Sequence, residues 1–233
     1  MSADGSPDTE NRSLRPDGSR DTEDRSLRLF VALELPAPVR AAVDNRTAAK
    51  LGPIDVLRPV RPDGLHVTLC FLGPTAAGQV DAIGARCREA CAGHGPLRLS
   101  LGELVLLAPR RPRVITIRVV DEHGSKLAAL QGELSRALAS GGWYRPESRP
   151  FWAHVTVARV RSGARLDARM LDAVSERARV SAADRERARV PEADHERAVF
   201  TADVVTLFQS RTQPGGAVYE PLVRIALAAR AAS

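Results

Sequence analysis

Two histidines in this chain occupy the same tetrapeptide setting. His66-Val67-Thr68-Leu69 and His154-Val155-Thr156-Val157 are both His-x-Thr-x with apolar x, and the other three histidines lack the pattern. Each tetrapeptide lies in an apolar run with strand character, LHVTLCFLG and FWAHVTVARV. In a strand, residues i and i+2 share a face. His66 and Thr68 therefore project together, with Val67 and Leu69 behind them, and His154 and Thr156 do the same in front of Val155 and Val157. Two imidazoles brought together supply an acid and a base near neutral pH. Two hydroxyls add hydrogen-bond donors for an oxyanion. That inventory suits metal-free hydrolysis of a phosphodiester.

The elements that must position these residues follow from the apolar pattern. The domain opens on the continuous apolar strand Leu29-Phe30-Val31-Ala32-Leu33. Pro36 and Pro38 start a helix on which Val39, Ala42 and Val43 share a face. The first motif strand spans 65–72 and is expected to stop at Gly73-Pro74, with Thr75 capping a helix to about 92. Strands follow at about 97–107 and 113–120, joined by the basic loop Ala108-Pro109-Arg110-Arg111-Pro112. A helix covers about 124–140, with Leu127, Leu130, Leu134 and Leu138 along one side and Gly141-Gly142 ending it. The second motif strand runs 153–160, and two more strands are expected at 203–208 and 219–227. Strands and helices mix without strict alternation, which points to an α+β fold with antiparallel sheets. One motif falls in each half, so the expected architecture is bilobal: two antiparallel sheets in lobes related by a pseudo-twofold, around a central cleft that carries the two motif strands.

Composition narrows the function classes. The chain has 233 residues, enough for one large domain, and is 44% hydrophobic with a net charge of +6. Arginine supplies nearly all the positive charge, which favours a polyanionic partner. Residues 1–27 lack apolar periodicity and contain a short repeat, DTENRSLR and DTEDRSLR. They form an expected disordered extension to a single domain over 28–230. A helix is expected near 167–178. The ERARV repeat then marks a solvated, charged insertion at about 176–199. No apolar run approaches the ~18 residues of a membrane span. Residues 1–28 lack the apolar segment of a secretory signal. With three cysteines, Cys70, Cys87 and Cys91, reduced thiols in a cytoplasmic protein are expected. Cys87 and Cys91, four apart on a helix, read as two half-buried thiols, since no second ligand pair for a metal follows.

The chain resembles the bacterial RNA 2′,3′-cyclic phosphodiesterases, historically called 2′-5′ RNA ligases, of the two-histidine phosphoesterase superfamily. The likeness rests on RLFVALELP, RPDGLHVTLCFLG, the PRRPRV loop, RPFWAHVTVARV and LFQSRTQPGGAVYEPLVRIAL, and covers about 28–160 and 200–228. Two positions depart from the family pattern: Cys70, where a basic residue is frequent, and Ala153, where proline is. Cys70, two residues past Thr68, is expected to share the motif face. The resemblance implies a bilobal fold with both motifs lining a cleft, no cofactor, and His66 as proton donor with His154 as proton acceptor. The expected substrate is an RNA 3′ end carrying a 2′,3′-cyclic phosphate, tRNA fragments being one source. The expected product is a 2′-phosphomonoester, and the reverse reaction joins RNA ends through a 2′-5′ bond. A monomer without an obligatory protein partner is expected. Small cyclic or 2′-5′-linked nucleotides are an alternative substrate class, and a non-catalytic RNA-end binder is a third reading. Two titrating groups in matched settings argue against the third.

Further residues could contact substrate. Arg159 lies five places past His154. In a regular strand it would face away, so a bulge or twist is needed to bring it to the site. Arg211 either meets a phosphate or stands on the surface. Arg110, Arg111 and Arg113 could follow an RNA backbone. Phe151 and Trp152 could stack on a base, although at least one is expected in the core. Neither motif offers a third ligand at metal spacing. Turnover of a cyclic-phosphate oligoribonucleotide should therefore survive EDTA. Complete loss on chelation, restored by one divalent metal, would overturn the two-histidine scheme.

Overall fold

The computed structural model describes residues 25–52, 54–107, 112–167, 169–172, 174, 199–213 and 216–228. The elements, in chain order, are β1 (Ser26–Glu34), α1 (Ala37–Leu51), β2 (Leu57–Pro59), β3 (His66–Ala76), α2 (Val80–Cys91), β4 (Leu97–Leu107), β5 (Val114–Asp121), α3 (Lys126–Ser140), β6 (His154–Val160), β7 (Val199–Ala202), β8 (Val204–Gln213) and β9 (Gly216–Ala226). All strand pairings are antiparallel. The order across the sheet is β7-β4-β5-β6-β3-β1-β8-β9, with β2 added on β6.

Two four-stranded halves make up this path, β6-β5-β4-β7 and β3-β1-β8-β9. They meet at a single residue pair, Val67 opposite Val155. The expected two sheets are thus the two halves of one nine-stranded sheet, joined at the centres of the two motifs. Both valines are fully buried on the side that packs against the helices. On that side Leu127, Leu130, Leu134 and Leu138 of α3 enter the core as their spacing predicts. The buried positions of α1 are Val39, Val43, Thr47 and Leu51, one per turn, while Ala42 is exposed. The apolar run of β1 is continuous because it is covered on both faces. Leu29, Val31 and Leu33 join the main core, whereas Phe30 and Ala32 form a small cluster with Phe208 on the opposite side.

Several boundaries differ from the pattern-based ones. β3 continues through Gly73-Pro74 to Ala76, paired with β1 from Arg28 to Ser26. Beyond the seam the other edge of β3 is unpaired, and an edge position tolerates the missing N–H of Pro74. Gly73 takes φ 75°, a conformation glycine adopts without strain. Thr75 does not cap a helix: its hydroxyl donates to the Gly73 carbonyl at 3.3 Å. A single 3₁₀ turn (Ala77–Gln79) precedes α2. β2 and β7 are only three and four residues long, too short to stand out by periodicity. β1 begins at Ser26, two residues before the expected domain start. The helix expected near 167–178 begins behind Asp167, whose carboxylate accepts from the Met170 N–H at 2.8 Å, and Val174 is buried. The rest of that helix, the insertion up to residue 198, Arg110, Arg111 and the extension up to residue 24 lie outside the described residues.

Candidate active site

An antiparallel pair has a local twofold axis normal to the sheet. Here that axis passes through the Val67–Val155 pair, so the register places His66 across from Thr156 and His154 across from Thr68. The two histidines occupy diagonal positions, which in a regular pair are roughly 7–8 Å apart. Their charges are coupled, since His154 helps to depress the pKa of His66.

Both rings are held the same way. His66 Nδ1 lies 2.8 Å from the Gly64 carbonyl oxygen, and His154 Nδ1 lies 2.8 Å from that of Trp152. A carbonyl only accepts, so each Nδ1 carries the proton and each Nε2 is left to exchange protons in the cleft. The surroundings differ. His66 sits among Phe30, Tyr219 and Phe208, with ring centroids at 4.8, 5.0 and 6.2 Å. His154 is stacked on Trp152 at 5.0 Å, with the planes 22° apart. Burial pushes the His66 pKa down to about 4, helped by the positive charge of Arg159. In the free protein His66 is therefore neutral at physiological pH.

The two motif strands share a second device. In β3 the register slips at Leu69, where Val31 pairs with Cys70 and Ala32 with Thr68. In β6 it slips at Val157, where Ile115 pairs with Ala158 and Thr116 with Thr156. Each slip inserts one residue, a β-bulge that reverses the facing of the residues just after it. The burial patterns of β3 from His66 to Leu72 and of β6 from His154 to Val160 are identical. Both bulge carbonyls are satisfied: Leu69 O accepts from Gln131 Nε2 at 3.3 Å, and Val157 O from the Val60 N–H at 2.8 Å.

The bulges decide several placements. Arg159 is turned onto the cleft side, as the bulge condition required, and lines the cavity with His66 and Thr68. Cys70 is turned away. It is 1% exposed, in the core rather than on the motif face, so the expectation that it borders the substrate is corrected. Phe71 takes the place equivalent to Arg159, lines the cavity and is 46% exposed. Arg28 lies over its ring, 5.0 Å from the centroid, a cation–π arrangement. Aligning HVTLCF with HVTVAR already equates Phe71 with Arg159, a signal that single-strand parity hides.

The cavity holds about 440 Å³ and is walled by β1, β2, β3, β6, β8 and β9. Arg28, Arg58 and Arg159 line it, and its lining contains no acidic residue. The carboxylate nearest in register, Glu34 opposite His66, is bound by the Thr206 hydroxyl at 2.5 Å and by Arg224 Nε at 2.8 Å. Arg211 is not in the lining. It pairs with Glu220 at 2.7 Å, while its neighbours Ser210 and Thr212 face the cavity. Phe151 packs against the core, leaving Trp152 beside the site. Arg58 had no legible signal, because its strand is three residues long. All three cysteines are free and fully buried, not half-buried at Cys87 and Cys91. Burial pushes each thiol up to about 12, which makes them inert. Among the described residues no cluster of His, Cys, Asp and Glu could hold a metal ion. No described helix is long and apolar enough to cross a membrane.

With this geometry established, similarity to known proteins is informative. The family described as the 2'-5' RNA ligase superfamily matches residues 36–210. The chain belongs to that superfamily. It is 31% identical over 135 residues to an RNA 2',3'-cyclic phosphodiesterase of Archaeoglobus fulgidus, covering 58% of this chain and 73% of that protein. A protein of the same name from Escherichia coli is 31% identical over 137 residues, covering 59% of this chain and 74% of that protein. Solved structures agree on the fold. Apo E. coli LigT superposes with a TM-score of 0.62 at 26% identity, covering 87% of this chain and 98% of that one. The same protein complexed with NADP+ gives 0.63 at 26% identity, covering 88% and 99%. The curled antiparallel halves thus belong to a shared architecture.

The depressed pKa of His66 has a consequence for stability. Its native value of about 4 lies below the unfolded 6.5, so between these values the unfolded chain binds more protons. Stability contributed by burying the neutral ring is complete above pH 6.5 and is lost as pH falls toward 4. Urea midpoints of H66Q should therefore change less across this window than those of the wild type, by at most one proton's slope. Parallel curves for the two proteins would show that His66 titrates normally.

Proposed function

We propose that the protein hydrolyses the 2′,3′-cyclic phosphate at RNA 3′ ends to a 2′-phosphomonoester, in a cytoplasmic setting where its free thiols stay reduced. The observation that carries this is the pairing of the two motif strands, each with an Nδ1-anchored histidine, beside a cavity lined by His66, Thr68, three arginines and no carboxylate. The names of the curated relatives support the substrate class.

The geometry supports a two-histidine acid-base reaction. His154 Nε2 takes a proton from the attacking water as the water oxygen bonds to phosphorus. His66 Nε2 gives its proton to the 3′ oxygen as the P–O3′ bond breaks. The Thr68 and Thr156 hydroxyls donate to the non-bridging oxygens, where charge accumulates. Each proton transfer contributes roughly 10²–10⁴-fold. After turnover His66 has lost a proton and His154 has gained one, and exchange with solvent resets both. Run backwards with a 5′-hydroxyl in place of water, the same steps form a 2′-5′ bond. The NADP+ complex of the E. coli relative favours a second reading, a small nucleotide phosphodiester in the same cleft.

His66 must be protonated to act as donor, yet burial and Arg159 keep it neutral in the empty site. The substrate's negative charge, placed beside the ring, reverses part of that depression. The basic limb of kcat, which reports the bound complex, should therefore lie at higher pH than that of kcat/KM, which reports the free protein. Coincident limbs, with chemistry rate-limiting, would count against His66 as the donor.

The decisive assay is incubation with a 2′,3′-cyclic-phosphate oligoribonucleotide, with 2′- and 3′-phosphate products resolved. The wild type should yield the 2′-phosphate. H66A and H154A should each lower kcat by about 10² or more, and the double variant should be little worse than either, because the pair acts as one unit. Near-normal turnover by either single variant would exclude the assignment.

A further inference from the structure

Arg58 has no part in the chemistry just described, and its placement asks for an anion. In the β2–β6 ladder it stands directly opposite Arg159. Like charges directly opposite each other are destabilising. Among the described residues, neither arginine has an ion pair to offset this. Both line the main cavity, and both also line a smaller adjoining groove between residues 59–64 and the start of β9. The two guanidinium groups are not equivalent. Arg159 lines the cavity with its charge acting on His66, whereas Arg58 is not among the causes of that shift. Gly216, at φ 127°, leaves open space beside the guanidinium: the nearest atom an added Cβ would meet is Arg58 Cζ, at 3.5 Å. Arg58 thus stands beside the start of β9, where cavity and groove adjoin.

We propose that Arg58 binds the phosphate on the 5′ side of the terminal nucleotide, so that the site favours an RNA chain over a cyclic mononucleotide. The inference rests on the phosphodiesterase reading above. The strands bearing Arg58 and Arg159 are roughly 4.8 Å apart. A chain with its cyclic phosphate beside Arg159 and His66 therefore carries its next phosphate within reach of Arg58, and the groove continues its path. A mononucleoside cyclic phosphate has no such group, so Arg58 adds nothing specific to its binding.

The test compares 2′,3′-cyclic AMP with the dinucleotide adenylyl-adenosine 2′,3′-cyclic phosphate, for wild type, R58Q and R58K over a range of NaCl concentrations. The wild type should prefer the dinucleotide. R58Q should lose about tenfold or more of kcat/KM on the dinucleotide, chiefly through KM, as expected for a hydrogen bond to a charged group. Its loss on the mononucleotide should be clearly smaller. The dependence of log kcat/KM on log salt for the dinucleotide should flatten by roughly 0.7, one single-strand phosphate contact. R58K should keep most of that slope. Because both substrates are measured on one preparation, an inactive fraction cancels from their ratio. An unchanged ratio in R58Q, equal losses on both substrates, or no dinucleotide preference in the wild type would each overturn the proposal. Wild type inert on both substrates would remove the hydrolytic reading, and this proposal with it.

Discussion

Everything in this site depends on one antiparallel contact. Val67 and Val155 are the only residues paired between the two motif strands, and both are fully buried. Because side chains alternate, burying the valines forces the residues on either side of each to the opposite face. The apolar side of the seam is thus what presents two imidazoles and two hydroxyls to the face opposite the core. A slip of one residue would send the histidines into the core and the valines to the substrate. The hydrophobic energy of the core therefore maintains catalytic register.

Symmetry at the seam supplies two equivalent imidazoles, yet acid and base must differ. The difference comes from what each half adds. Phe30, Phe208 and Tyr219 surround His66, while Trp152 stacks on His154. Beyond the bulges, one half contributes Phe71 with Arg28 over its ring, and the other contributes Arg159. Repeated backbone geometry therefore carries unlike side chains at matching positions. The cleft has a direction although the motifs do not.

Charge balance gives the cleft its preference for anions. Glu34 is the acidic side chain best placed to neutralise the site, and Thr206 and Arg224 hold it. Arg58 and Arg159 remain side by side without a carboxylate among the described residues. Unpaired guanidinium groups in a concave, partly desolvated site act more strongly than they would on an open surface. Burial, helped by the charge of Arg159, holds His66 neutral until an anion arrives, which ties its protonation to substrate binding.

Much of this was legible in the sequence. The His-x-Thr-x repeat and strand parity were enough to put His66 with Thr68, and His154 with Thr156, on the face opposite the buried residues, since alternation is a local property of extended backbone. Leucine spacing was enough for α3, and turn residues for the broad order of strands. The facing of Cys70, Phe71 and Arg159 was not legible, because each depends on an extra residue in one strand relative to its partner. Such a bulge exists only once two strands are paired. Arg58, Tyr219 and Ser210 enter the site from strands far apart in the chain, brought together by the curl of the sheet and by the β8–β9 hairpin. Arg211 and Phe151 carry side chains suited to substrate contact, but tertiary structure gave one to Glu220 and the other to the core. Sequence by itself determined which chemistry was available, because residue type and local periodicity belong to the chain. Tertiary structure decided which groups face the cleft and which proton each histidine holds, because facing depends on strand pairing and pKa on burial and neighbouring charge.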